Sequence, residues 1–266
     1  MGLNIIDQKL KQIKEEERIG LMTHLVVGYP TLEDTIKLAK VMEKNGVDFI
    51  ELQIPFSDPL ADGPTIMRAC EKSLEHGTKV KDAFKIMKIL SSELQIPLIF
   101  MAYFNTVFKY GVEKFCQDAK LAGASGLIVP DMPIDEESEE HFYLFCKKYN
   151  LYNIQVISPA STEERLQKNA KISKGFVYAT AHQGITGAKN KLDPAISSYL
   201  RRVRKFFNIP IAVGFGISKK EHLKQLAPIA DIAVVGSAII DVIDDSKPNE
   251  FEKNIISFLS EIDLKV

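Results

Sequence analysis

Eight short apolar runs, with helical patterns filling the longer gaps between them, set the strongest limit on the fold. They are Leu21–Val27, Phe49–Ile54, Leu98–Tyr103, Gly126–Val129, Ile154–Ile157, Phe176–Thr180, Ile211–Val213 and Ile232–Val235. Most are apolar throughout rather than alternating, as strands covered on both faces are. Helical stripes lie between them: Leu32, Ile36, Ala39, Met42; then Val80, Phe84, Met87, Leu90; then Val112, Phe115, Ala119, Ala122. Thr31 and Thr162 stand as N-caps, and Gly46, Gly77 and Gly123 stand where helices should stop. Two further helices fall outside the repeat, one over about Ile5 to Glu16 and one carrying Phe251, Ile255, Phe258 and Leu259. These elements predict an α/β protein. It is a single (β/α)8 barrel, the TIM fold, over residues 1–266, with an extra N-terminal and an extra C-terminal helix. The length of 266 residues suits a fold that takes roughly 250. An open doubly wound sheet is the alternative. It usually has fewer strands and a glycine-rich turn after the first, whereas here that strand runs into Gly28-Tyr29-Pro30.

Composition narrows the class of partner. A formal net charge of −1 with no basic tract argues against nucleic acid. Three widely spaced cysteines, Cys70, Cys116 and Cys146, read as reduced thiols packed on helices of a cytoplasmic protein. No apolar run approaches the about 18 residues of a membrane span. The N-terminal Met1-Gly2-Leu3-Asn4-Ile5-Ile6 turns polar too soon for a secretory signal, and Ile6 sits where a myristoylation motif needs Ser or Thr.

In a barrel the chemistry gathers where strand C-termini open into loops. The candidates there are His24, Glu51, Tyr103, Asn105, Asp131, Tyr178, His182, Phe215 and Ser237. Glu51 is a carboxylate inside an apolar strand, costly unless it has a task. Asp62 follows in Asp58-Pro59-Leu60-Ala61-Asp62-Gly63-Pro64-Thr65, a loop stiffened by Pro55, Pro59 and Pro64. Taken alone, Asp62 would be a turn residue. Together the two acids can divide proton work: one moves protons and the other holds developing positive charge. The seventh strand ends Gly214-Phe215-Gly216-Ile217-Ser218 and the eighth Gly236-Ser237-Ala238. Glycines and a helix start at these two strands suit a phosphate, though they also suit tight turns. Gly184-Ile185-Thr186-Gly187-Ala188 suggests either a lid or an ordinary surface loop. Tyr103, Phe104, Phe108, Tyr178 and Phe215 offer stacking partners for a flat substrate, or core. No lysine at a strand end supports an imine-forming aldolase, and no GxSxG elbow is present. His24 and His182 with Glu51 or Asp131 could bind a divalent metal, but no HxD or HxxxH spacing supports ligation.

Glu51-Leu52-Gln53-Ile54-Pro55-Phe56-Ser57-Asp58-Pro59-Leu60-Ala61-Asp62-Gly63-Pro64-Thr65-Ile66 strongly resembles the signature of the tryptophan synthase alpha subunit family. Gly184–Ala188 resembles its lid loop, and Gly214–Ile217 and Gly236–Ile239 resemble its phosphate loops. The similarity runs from about Leu10 to Asp244. The resemblance implies a barrel that cleaves indole-3-glycerol phosphate to indole and glyceraldehyde 3-phosphate, with no metal or organic cofactor in this chain. It implies Glu51 as the proton-transfer residue and Asp62 as the partner of the indole N–H. Tyr103 and Tyr178 would line the site. Gly187, Gly216 and Ser237 would offer donors to the phosphate, beside Gly236 and Phe215, and Thr186 would help close the lid. The implied partner is a pyridoxal-phosphate beta subunit in an α2β2 tetramer, met by Pro55, Asp58, Asp131 and Pro133.

Three departures stand out. Gln53 lies where the family usually has Gly. His24 holds a position often taken by an aromatic that packs on indole. His182 and Gln183 replace a common Arg-Ser pair. Two other readings remain at this point: a metal-dependent sugar-phosphate epimerase using His24 and His182, and a regulatory subunit without activity of its own.

Overall fold

The computed structural model describes residues 4–180, 194–214, 216–217 and 219–262. Nine strands are present among the described residues: β1 (Gly20–Val26), β2 (Phe49–Gln53), β3 (Leu98–Met101), β4 (Gly126–Ile128), β5 (Tyr152–Ile154), β6 (Val156–Ile157), β7 (Val177–Thr180), β8 (Ile211–Gly214) and β9 (Ile232–Val235). They form one sheet in the order β5-β4-β3-β2-β1-β9-β8-β7-β6, with every pair parallel. The two ends of that order are halves of one strand. Only Gln155 separates β5 from β6, and its carbonyl accepts the Tyr178 N–H at 2.9 Å. The ring therefore closes through the chain itself. The run read as Ile154–Ile157 begins earlier, at Tyr152, and divides at Gln155.

Alternate residues of each strand face the barrel axis. The inward set, including Met22, Phe49, Ile99, Ile154, Phe176 and Ile232, forms one apolar cluster. The outward set, including Leu21, Leu25, Ile50, Leu52, Phe100 and Val213, packs with the helices into another. Both faces are apolar, which is why the strands do not alternate in sequence. The inward face nevertheless changes along its length. On β2 it runs Phe49, Glu51, Gln53; on β1 Met22 then His24; toward β7 Phe176 then Tyr178. The floor of the barrel is apolar and its mouth is polar.

The extra N-terminal helix, Ile5–Glu15, stoppers that floor. Asn4 caps it by accepting the Ile6 N–H and ties it to the barrel by donating to the Ser125 carbonyl at 3.0 Å. Ile6 and Ile13 are buried in the inward cluster with Leu10 packed beside them. The extra C-terminal helix, Phe251–Glu261, lays Phe251, Ile255 and Leu259 into the outer core against the helix Leu32–Lys44. Thr31 and Thr162 cap as expected, accepting from Asp34 N and Arg165 N. Gly46, Gly77 and Gly123 take positive φ at helix ends.

A polar clamp sets the β1–β2 register. Asp48, just before β2, accepts both arms of the Arg18 guanidinium at 2.6 and 2.7 Å and the Leu21 N–H at 2.9 Å, while its own N–H donates to Leu21 O at 2.8 Å.

Ile6→Ala should lower the free energy of unfolding by about 2–5 kcal/mol, because the stopper leaves a cavity that the barrel floor cannot close. Ile5→Ala, on the open side of the same helix, should change it by less than about 0.5 kcal/mol. Urea unfolding of the two variants checks this, and equal effects would contradict the stopper.

Candidate active site

The register places His24 opposite Glu51. Both are 4% exposed, and His24 Nδ1 lies 3.3 Å from Glu51 Oε2. Two residues further along the same face of β2, Gln53 is fully buried and donates from Nε2 to Asp62 Oδ2 at 2.7 Å. Tyr103, following β3, donates its hydroxyl to the same oxygen at 2.9 Å and accepts the Ala61 N–H at 2.9 Å. Phe56 stacks on the Tyr103 ring at 5.2 Å and 21°. The proline-rich loop is thus held across the mouth by β2 and β3. The helix Pro64–Glu75 starts two residues past Asp62, with Pro64 in its first turn and Gly63 as N-cap. The helix ends just before Gly77, one of the expected helix stops, and begins inside the proline-rich stretch expected as loop.

Burial works against a charged imidazole at His24, but Glu51 first and then Asp62 and Gln53 favour it, and the pKa ends above the usual 6.5. Burial pushes the Asp62 carboxyl up, against the opposing pull of His24, Gln53 and Tyr103. The Tyr178 phenol is half-buried and faces the charges of Glu51 and Asp62, so desolvation and those charges hold it well above its ordinary value and it stays neutral. Three buried polar atoms here have no hydrogen-bond partner among the described residues: His24 Nε2, Glu51 Oε2 and Gln53 Oε1. Unsatisfied groups collected in one pocket mark a place built for something else to bind.

The opposite wall is glycine. A Cβ on Gly214 would stand 2.7 Å from the Tyr178 hydroxyl, so the absence of a side chain makes room for that phenol. Gly236 backs onto His24 and caps the helix Ser237–Asp244. The first N–H groups of such a helix have no acceptor within it. Gly216 has φ +53 and open space where a Cβ would lie. Thr186, Gly187, Phe215, His182, Gln183 and the rest of the expected lid fall outside the described residues.

Four candidates lie elsewhere. Asp131 Oδ1 accepts the Phe104 N–H at 2.7 Å, at the start of the helix Phe104–Tyr110. Asn105 is exposed on that helix. Phe104 packs edge-on against Phe142 in the outer layer, and Phe108 is 56% exposed. A helix beginning directly after Tyr103 turns its residues out of the mouth, so Tyr103 and Tyr178 are the aromatics of the expected set that face the acids among the described residues. No group of three or more His, Cys, Asp or Glu among the described residues is arranged to hold a metal. Sequence reasoning did not assign Gln53 and the Ala61 N–H their hold on Asp62 and Tyr103. The two-residue period from Glu51 to Gln53 was the available signal for the first.

A (β/α)8 barrel with two acids at the C-terminal ends of its strands has the layout of an enzyme. A family model described as tryptophan synthase alpha chain matches residues 10–263. The alpha chain of Desulfotalea psychrophila is 43% identical over 91% of this chain and 95% of its own length, and that of a Thermoanaerobacter species 38% identical over 98% of both. The alpha subunit structure from Legionella pneumophila superposes with a TM-score of 0.89 at 30% identity, covering 98% of this chain and 97% of that one. Tryptophan synthase from Mycobacterium tuberculosis gives 0.88 at 31% identity, over 97% and 96%. The chain belongs to the tryptophan synthase alpha chain family. The alpha subunit of that family cleaves indole-3-glycerol phosphate in tryptophan biosynthesis, acts with a beta subunit and carries no cofactor of its own.

Tyr103→Phe removes one donor to Asp62 and the acceptor of the Ala61 N–H, and should cost about 1–3 kcal/mol in unfolding experiments. An unchanged stability would contradict the clamp. Because folding raises the His24 pKa above 6.5, its stabilising effect is complete below that pH and is lost as pH rises through the folded value. The unfolding temperature of the wild type should therefore fall across that window more steeply than that of Glu51→Gln. Parallel curves would contradict the pairing.

Proposed function

We propose that Glu51 and Asp62 carry out the cleavage of indole-3-glycerol phosphate in this chain. Glu51 gives a proton to C3 of the indole. Asp62 accepts the ring N–H and stabilises the positive charge that protonation creates there. The bond from C3 to the glycerol carbon then breaks, and its electron pair returns to the ring. Glu51 takes up the proton of the hydroxyl on that carbon as the aldehyde forms, so each turnover ends with the proton count at which it began.

The observation that carries this reading is the convergence of buried Glu51 and half-buried Asp62, the latter held by Gln53 and Tyr103, at the polar end of an otherwise apolar barrel. Asp62 Oδ2 receives both protein donors, while Oδ1 receives none among the described residues and is free for the indole N–H. Tyr103 and Tyr178 would flank the ring, with His24 and Phe215. Gly187, Gly216, Gly236 and Ser237 would hold the phosphate, and Thr186 would help close over Asp62.

The chain would work as one domain, residues 1–266, in an α2β2 tetramer with a pyridoxal-phosphate beta subunit. The docking face would carry Pro55, Asp58, Asp131 and Pro133. A cavity of about 410 Å³ lined by Phe56, Asp58, Leu60, Ala61, Tyr103, Pro130 and Asp131 opens on this side, and Leu60 stands 95% exposed beside it. Three buried, unbridged cysteines suit a reducing cytoplasm.

Glu51→Gln should abolish indole formation from indole-3-glycerol phosphate, with and without a beta subunit, while the circular dichroism spectrum is kept. Asp62→Asn should slow it by roughly 100-fold or more. Turnover within about threefold of wild type in a folded Glu51→Gln protein would overturn the assignment, since loss of a general acid–base typically costs roughly 100-fold or more.

A further inference from the structure

We propose that His24 and Gln53 join Glu51 and Asp62 into one buried polar chain, in which His24 positions Glu51 and stores the proton that Glu51 exchanges with substrate. This rests on the reaction assigned above and adds two residues that the acid pair alone does not require.

The geometry supplies the links. His24, Glu51 and Gln53 face inward from neighbouring strands, and His24 Nδ1 is 3.3 Å from Glu51 Oε2. At the other end Gln53 Nε2 donates to Asp62 at 2.7 Å, which fixes the amide with Oε1 as its remaining acceptor. Among the described residues, His24 Nε2, Glu51 Oε2 and Gln53 Oε1 are buried without a hydrogen-bond partner. A neutral imidazole has one donor; an imidazolium has two. Two unsatisfied acceptors beside one ring match the charged form. Small turns of the ring would let it donate to both.

The surroundings agree. The charged groups that act on His24 are Glu51 from β2 and Asp62 from the following loop, and both favour the imidazolium against its burial. Tyr178, near both acids, is a neutral phenol, and Tyr103 donates to Asp62 rather than to the pair. On its far side His24 meets Gly236, which brings no charge.

The imidazole, held in its charged form by Glu51 and Asp62, carries a proton beside Glu51 Oε2. The stored proton sits on His24 while Glu51 is a carboxylate. It passes through Glu51 to C3, and the hydroxyl proton returns by the same route, so no further reactant is needed. Without His24 that store is lost, and the proton-bearing enzyme disappears at lower pH. Gln53 meanwhile aims Asp62.

Two measurements test this on the full chain. In the first, the His24 ring C–H resonance is followed against pH by NMR and assigned by its loss in His24→Phe. Its midpoint should fall by about one pH unit or more in Glu51→Gln, the usual effect of losing an opposite charge at this range. An unchanged midpoint would overturn the pairing. In the second, kcat for indole formation with a beta subunit present is measured against pH. In His24→Phe, whose ring can still pack against the indole, the alkaline limb should move about one unit toward acid, with KM changed less than about threefold, because the proton store acts through Glu51. His24→Asn, which can hydrogen-bond but store no proton, should not restore the limb. A profile superimposed on wild type in both variants would overturn proton storage. A wild-type chain that forms no indole would overturn the assigned reaction and catalytic proton storage with it, while the NMR titration would still decide the pairing.

Discussion

The site depends on the register between β1 and β2. Side chains alternate along a strand, so a slip of one residue would send Glu51 and Gln53 into the outer core, and a slip of two would replace His24 with Met22 or Val26. Asp48 guards against both. Its carboxylate is held by the Arg18 fork and by the Leu21 N–H, three residues before the inward His24, and its own N–H pairs with Leu21 O. The ion pair sits at the floor of the barrel, and what it fixes is the encounter of His24 with Glu51 at the mouth.

A buried carboxylate is tolerable only where the rest of the interior is secure. Here the lower half of the barrel is dry and apolar, closed beneath by Ile6 and Ile13 of the N-terminal helix. The polar residues of the interior sit in the upper half, where His24, Glu51, Gln53 and Asp62 compensate one another in part. Three of the five buried polar side-chain atoms without partners among the described residues gather at this mouth, as in a site left open for a ligand. A fully satisfied network would be more stable but would have nothing to offer a substrate.

Much of this was legible in sequence, for physical reasons. Strands covered on both faces write themselves as unbroken apolar runs, so the barrel count came through. Glu51 stood out as a charge inside such a run. The same double coverage hid which residues face the axis, because inward Phe49 and outward Ile50 look alike. The division of the fifth strand at Gln155 was invisible, since Ile154-Gln155-Val156 reads as continuous and its split depends on neighbours on either side. Phe104 and Phe108 looked like pocket residues because they follow Tyr103 closely, but a helix starts there and carries them outward. The hold of Gln53 on Asp62 spans nine positions and a proline-rich turn, and only the folded loop brings the amide and carboxylate together.

The most direct test is a crystal structure of Glu51→Gln with indole-3-glycerol phosphate bound. The account requires the indole N–H on Asp62 Oδ1, position 51 beside C3, and the phosphate at Gly216, Gly236 and Ser237. A substrate seated with its phosphate toward Asp62, or bound away from the β1–β2 mouth, would contradict it.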